Sequence, residues 1–198
     1  MHRSPQPRAL RRSLLRLTAP ALLALGASCA AGPEPLAEVT QATAGAAAGH
    51  AQAGRIVNMG QPTAEELGAF GKEGYRLVLD MRTAAEDRGY DEALVAAELG
   101  MRYQNLGFRE PETLTEDLLA EALAALRAEP GPVLLHCKSG NRSAAVWLAW
   151  RVVEEGVDFE TALPEARAMG LRNEAYAEQV RAFAASATET APIIYSVF

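Results

Sequence analysis

Short apolar runs alternate with helix-period stretches through the middle of the chain. "YRLVLD" (Tyr75–Asp80) and "VLLHC" (Val133–Cys137) are short and nearly continuous in apolar residues, which predicts strands. The second is apolar throughout its first three positions, as in a central parallel strand covered on both faces. "RIVNMG" and "MRYQNLGF" predict two more strands. "QPTAEELGAFGKEG" predicts a helix, with Thr63 as N-cap, Glu66 closing a capping box and Gly71 or Gly74 at its end. "DEALVAAELG" predicts another, acidic in its first turn and stopped at Gly100. "TLTEDLLAEALAALRAE" aligns Leu114, Leu118, Leu119, Leu123 and Leu126 on one side before "PGP" ends it. "SAAVWLAWRVVEEG" is apolar nearly all round and predicts a buried helix, with Trp147 and Trp150 in the core. "DFETALPEARAMG" and "NEAYAEQVRAFAASA" predict closing helices, with Pro164 as a break or kink.

Strand–helix alternation of this kind implies an α/β layer fold with a mostly parallel sheet over residues 55–186. In such sheets ligands bind at the carboxyl ends of the strands. Three segments are expected at that edge: Asp80-Met81-Arg82, Phe108–Glu112 and Cys137–Arg142.

The flanks differ in character. Residues 1–30 join a basic stretch to a short apolar run ending in small residues, an expected export signal. Cys29 after "LGAS" suits lipoprotein processing, with cleavage after Ala30 the alternative. Residues 31–54 are rich in Ala, Gly, Thr and Gln and read as a flexible linker. Residues 187–198 read as a C-terminal tail. The expected location is therefore exported and periplasmic, with membrane attachment only through an N-terminal lipid anchor. The chain is 49% hydrophobic and 22% charged, which suits one globular domain. Its net charge of −6 argues against nucleic acid as a partner. Once Cys29 is processed, Cys137 is the sole cysteine and has no disulfide partner.

That cysteine ends a buried strand before a short loop and a helix. Loop amides and the first helical N–H groups then face one hollow, where the helix dipole adds positive potential. Gly140 permits a turn other residues resist. Arg142 offers a planar fork of donors suited to an oxyanion. The same field favours a Cys137 thiolate, and Ser143 can donate a hydrogen bond to it. The expected anion loop is Lys138, Ser139, Gly140, Asn141 and Arg142. His136 is expected to brace it from behind. No metal site and no cofactor is expected, since His136 and Cys137 are neighbours on opposite faces of a strand.

"HCKSGNRS" resembles the active-site loop of cysteine-based tyrosine and dual-specificity phosphatases. With "GQPTAEEL", "YRLVLDMR" and "PVLLHCKSGNRSA", the region from Arg55 to Phe183 is similar to the beta-lactamase hydrolase-like, phosphatase-like family. The resemblance implies a sheet of four to five strands flanked by helices, Cys137 as nucleophile and Arg142 as oxyanion binder. It implies hydrolysis of a small phosphate ester or phosphoprotein through a thiophosphoryl-enzyme intermediate. Four residues separate Cys137 from Arg142, where most phosphatases of that superfamily have five. Similar short loops occur in rhodanese-like sulfurtransferases, so a Cys137 persulfide acting on sulfur compounds is an alternative, as is a non-catalytic anion-binding or partner-binding module. Ester cleavage also benefits from a general acid. Asp80, Glu110 and Glu112 lie where one could reach.

Overall fold

The computed structural model describes residues 40–41 and 51–190 of the 198-residue chain. The export segment, Cys29 and most of the tail lie outside the described residues. Six strands form one sheet: β1 (Thr40–Gln41), β2 (Ala51–Ala53), β3 (Ile56–Met59), β4 (Leu77–Asp80), β5 (Arg102–Asn105) and β6 (Val133–His136). Their order is β1-β2-β3-β6-β4-β5. The four from β3 to β5 are mutually parallel, while β1 and β2 add antiparallel to the β3 edge. This corrects the reading of residues 31–54 as linker throughout. Ala51–Ala53 pairs along β3, and Ala51 and Ala53 are buried. Small residues poor in apolar bulk still close a sheet edge, because the ladder is made by the main chain.

β3, β4 and β6 are buried at every position, as continuous apolar strands in a covered sheet should be. Alternating side chains divide the core in two. Ile56, Leu77, Leu79, Val133 and Leu135 face one side. Val57, Val78 and Leu134 face the other. On the second side lie α1 (Ala64–Lys72) and α2 (Glu92–Glu98), with Leu67, Phe70 and Ala96 buried against the sheet. The Thr63–Glu66 capping box forms as its sequence requires. On the first side lie α3 (Glu116–Ala128), α4 (Asn141–Ala149), α5 (Phe159–Ala168) and α6 (Glu174–Thr190).

The central helix is α4, in which every residue from Arg142 to Ala149 is buried. Burying Trp147 and Leu148 contributes about 1.5–3 kcal/mol each. A π-helical turn, Trp150–Glu154, extends it. Trp150 is only half-buried, with the Arg55 guanidinium 5.0 Å from its ring centroid, so it borders the core instead of filling it. Pro164 sits inside α5 without ending it. The last helix passes Ser186 and runs to Thr190, beyond the expected boundary. Among the described residues no helix is long and apolar enough to cross a membrane.

The register sets the site. Met59, His136, Asp80 and Asn105 are level across the four parallel strands. Gly60, Cys137, Met81 and Leu106 therefore leave the sheet together at its carboxyl edge.

Candidate active site

Cys137 is 1% exposed, and α4 begins four residues later. Gly140 caps that helix at φ +81° with no capping side chain, a conformation that favours glycine. Burial pushes the Cys137 thiol up. The N–H groups of Ser143, Ser139 and Arg142 and the Ser143 hydroxyl outweigh it, so the pKa lies below its ordinary 9.0. Ser143 Oγ is buried with no hydrogen-bond partner, which leaves its hydroxyl free to donate to a Cys137 thiolate when one forms.

Arg142 is 8% exposed. Its Nη1 donates to Glu86 Oε1 at 2.7 Å, Phe108 O at 2.8 Å and Met81 O at 3.1 Å, and its Nη2 donates to Glu86 Oε2 at 2.9 Å. One edge of the guanidinium is thereby fixed, and the Nε side remains for the thiolate or an oxyanion. Desolvation lowers the Arg142 pKa, but Glu86 and Cys137 more than offset it. The Arg142 hydrogen bonds pull the Glu86 carboxyl from 4.5 to about 2 against the opposing effect of burial.

Glu86 was not distinguishable in sequence from Asp87 beside it. It is the anchor of the arginine. The Thr83 N–H donates to it at 2.9 Å, and Arg82 Nε donates at 3.4 Å. Arg82 is itself occupied by Glu86, by Gln61 Oε1 and by Asp87 O at 2.6 Å. Gly107 lets the following loop lie against this segment. A Cβ there would stand 2.5 Å from Arg82 O and 2.7 Å from Thr83 Cα.

The "GQPT" stretch gains a physical reason residue by residue. Gly60 bridges to Ser139 and approaches Lys138 O so closely that a Cβ would sit 3.0 Å from it. Gln61 Nε2 donates to Glu92 Oε2 at 3.1 Å. Pro62 O accepts from Tyr90 Oη at 3.1 Å, and Thr63 caps α1.

Of the expected loop residues, Lys138 and Ser139 are exposed at the rim. Ser139 O and Oγ accept from Arg172 Nη2 at 2.9 and 3.0 Å. The Asn141 side chain turns from the cradle to the α5–α6 connection, where Oδ1 accepts from the Arg172 N–H at 2.6 Å and the Asn173 N–H at 3.1 Å. The Asn141 side chain is therefore taken up in anchoring the loop.

The three carboxylates proposed as acids separate clearly. Asp80 is 0% exposed. It accepts from Arg82 N at 2.7 Å, Arg88 Nε at 2.7 Å and Tyr103 Oη at 2.8 Å. A buried carboxylate so tied has no path to a leaving group, which corrects its candidacy. Glu110 caps a 3₁₀ turn, Pro111–Thr113, Glu112 lies within it, and both are exposed. The Glu110 carboxylate lies 3.9 Å from Arg109 Nε, and its charge acts on the Tyr176 phenol, as do those of Arg142 and Cys137. Tyr176 ties this loop to α6, donating to Arg109 O at 2.5 Å and meeting Phe108 edge-on at 5.4 Å.

Behind Cys137, His136 lies on the opposite face of the sheet. Its Nε2 is 3.0 Å from Glu92 Oε1 and 3.8 Å from Asp80 Oδ1, all three side chains being fully buried. Their donor atoms fall within 4.8 Å of one another, a grouping that residues far apart in sequence concealed. Arg88 Nη2 already pairs with Asp80 Oδ2 at 2.5 Å, and Arg88 Nε lies 3.8 Å from Glu92.

Residues 55–152 match the family model described as beta-lactamase hydrolase-like protein, phosphatase-like domain. Beta-lactamase hydrolase-like proteins of Xylella fastidiosa, strains Temecula1 and 9a5c, are each 30% identical over 104 residues, covering 50% of this chain. The matched region spans only 24% of those relatives. Among solved structures, Tk-PTP in its active form superposes with TM-score 0.59 at 21% identity, over 67% of this chain and 92% of that one. PTPMT1 gives 0.58 at 21%, over 68% and 92%. TpbA of P. aeruginosa gives 0.54 at 20%, over 69% and 83%. These likenesses show the phosphatase-like fold, a single α/β domain with four parallel strands flanked by helices. The segment that carries Gln61, Glu86, Cys137 and Arg142, residues 55–152, belongs to the phosphatase-like domain family of the beta-lactamase hydrolase-like proteins.

Proposed function

We propose that this protein is an exported, cysteine-dependent phosphatase of small phosphate esters. The observation that carries the reading is the convergence on Cys137 of three main-chain N–H groups and the Ser143 hydroxyl, with the Arg142 guanidinium alongside. Such a site holds a thiolate and binds the oxygens of a phosphoryl group in the same hollow. Cys137 Sγ attacks phosphorus, the P–O bond to the leaving group breaks, and the departing oxygen takes a proton from Glu110. Arg142 and the loop amides hold the equatorial oxygens. Water then attacks the thiophosphoryl group, giving its proton to the Glu110 carboxylate and releasing phosphate and the free thiolate. A TpbA variant with serine for cysteine has been solved with phosphotyrosine, at 18% identity to this chain, which accords with an aryl phosphate as test substrate. Export of the domain rests on the basic and apolar residues 1–30.

The four-residue loop favours one second reading, a Cys137 persulfide in sulfur transfer, since that needs a thiolate and no acid. Para-nitrophenyl phosphate hydrolysis separates them. Turnover that vanishes in Cys137→Ser supports the phosphatase. Thiocyanate formation from thiosulfate and cyanide, without ester turnover, refutes it.

A further inference from the structure

Asn58 lies on β3 between Val57 and Met59 and is 2% exposed on the α4 side of the sheet. A buried amide in the middle of an apolar strand needs a reason. Its Nδ2 donates to Gly140 O at 2.9 Å and also to Met169 O. Its Oδ1 has no partner. The fold therefore keeps an unsatisfied acceptor to retain the two donor contacts.

The slot around the amide is built to fit it. It lies between two glycines of positive φ, Gly140 at +81° and Gly170 at +114°. A Cβ at Gly140 would come 3.2 Å from Asn58 Nδ2, and one at Gly170 would come 3.4 Å from Gly140 O. The Gly140 carbonyl also accepts the first α4 hydrogen bond, from the Ala144 N–H at 3.1 Å. Both of its acceptor directions are thus taken on the side away from the nucleophile.

The chain has no cis peptide bond among the described residues. Across a trans peptide the N–H points opposite to the preceding C=O. Holding Gly140 O outward therefore holds the Asn141 N–H inward. As the first residue of α4, Asn141 has an N–H that the helix leaves free. The sulfur draws on Ser139, Arg142 and Ser143, so this is a donor left for the bound anion.

We propose that Asn58 is a positioning residue for the anion cradle: it clamps the Gly140 carbonyl and thereby aims the Asn141 N–H at the substrate's phosphoryl oxygens. It acts with Asn141 Oδ1 and Arg172, which join the same loop to the same α5–α6 connection. A shortened loop with few amides depends more on the aim of each one. This rests on the reading of the loop as an anion cradle.

The test compares wild type, Asn58→Ala and Asn58→Ser, the last keeping a donor on a shorter arm in case the first fails to fold. Tungstate affinity by calorimetry, hydrogen exchange at the Asn141 amide, and the pH profile of Cys137 alkylation are measured on each. Losing one aimed donor to an anion weakens tungstate about tenfold in Asn58→Ala. Asn141 exchange speeds up, while the alkylation midpoint stays put because the donors to sulfur are elsewhere. Asn58→Ser falls between. A folded variant with wild-type tungstate affinity and wild-type Asn141 exchange overturns the proposal. Wild type that fails to bind tungstate overturns the anion-cradle reading instead, and Asn141 exchange then decides whether Asn58 aims the amide.

Discussion

Replacing Glu86 by glutamine keeps its volume and removes the charge that fixes Arg142. In the folded protein the carboxyl is drawn from 4.5 to about 2, chiefly by the two Arg142 hydrogen bonds of 2.7 and 2.9 Å. A shift of that size corresponds to about 3 kcal/mol of stability at neutral pH. Glu86 stands beside solvent at the rim, where screening reduces this to about 1–2 kcal/mol. The folded pKa is below the unfolded one. The contribution is therefore complete above about pH 4.5 and is lost as pH falls towards about 2. Urea unfolding of wild type and Glu86→Gln at neutral pH should show the variant less stable by about 1–2 kcal/mol. At about pH 2.5 the gap should close to a few tenths of a kcal/mol. kcat/KM for an aryl phosphate should also fall, about 10–100-fold, as the arginine loses its orientation. An equal stability gap at both pH values would refute the reasoning and place the effect of Glu86 in packing alone.

Other expectations follow from the same contacts. Iodoacetamide should alkylate Cys137 with a midpoint below 9.0, and Ser143→Ala should move that midpoint up, because one hydroxyl donor to the thiolate is gone. Glu110→Gln should lower kcat about 100-fold for an alkyl phosphate, whose leaving oxygen needs a proton, and little for para-nitrophenyl phosphate. Equal losses on the two substrates would remove Glu110 from the acid's role. Asp80→Asn should instead cost about 1–3 kcal/mol in a thermal or urea melt, since the largely buried Arg88 guanidinium loses its nearest carboxylate and keeps Glu92 at 3.8 Å and two carbonyls. Gly107→Ala forces a Cβ against main-chain atoms of Arg82 and Thr83 and should cost about 1–3 kcal/mol by the same measurement.

Much of the scaffold was legible because it depends on local patterns. The apolar runs of β4 and β6, the Thr63–Glu66 box and the all-round apolar α4 each announce their element within a few residues. The β2 edge was not legible, because "AQA" has neither bulk nor alternation and is held by main-chain pairing to β3. The Cys137–Arg142 loop could be found by spacing, since it joins one strand directly to one helix. Its supports could not. Glu86 reaches Arg142 across 56 positions and Asn58 reaches Gly140 across 82. Such partners become visible only once the strand register sets Met59, His136 and Asp80 level. Asp80 shows the converse error. A strand-end aspartate suggests catalysis from sequence, but its neighbours Arg88 and Tyr103 enclose it.

The most direct test of the central claim is acid quenching of the enzyme during turnover of an aryl phosphate, followed by peptide mass spectrometry at Cys137. The account predicts a phosphoryl group on the Cys137 sulfur, absent when no ester is supplied and lost on chase with water. An unmodified Cys137 during active turnover, or turnover that survives Cys137→Ser, would contradict it.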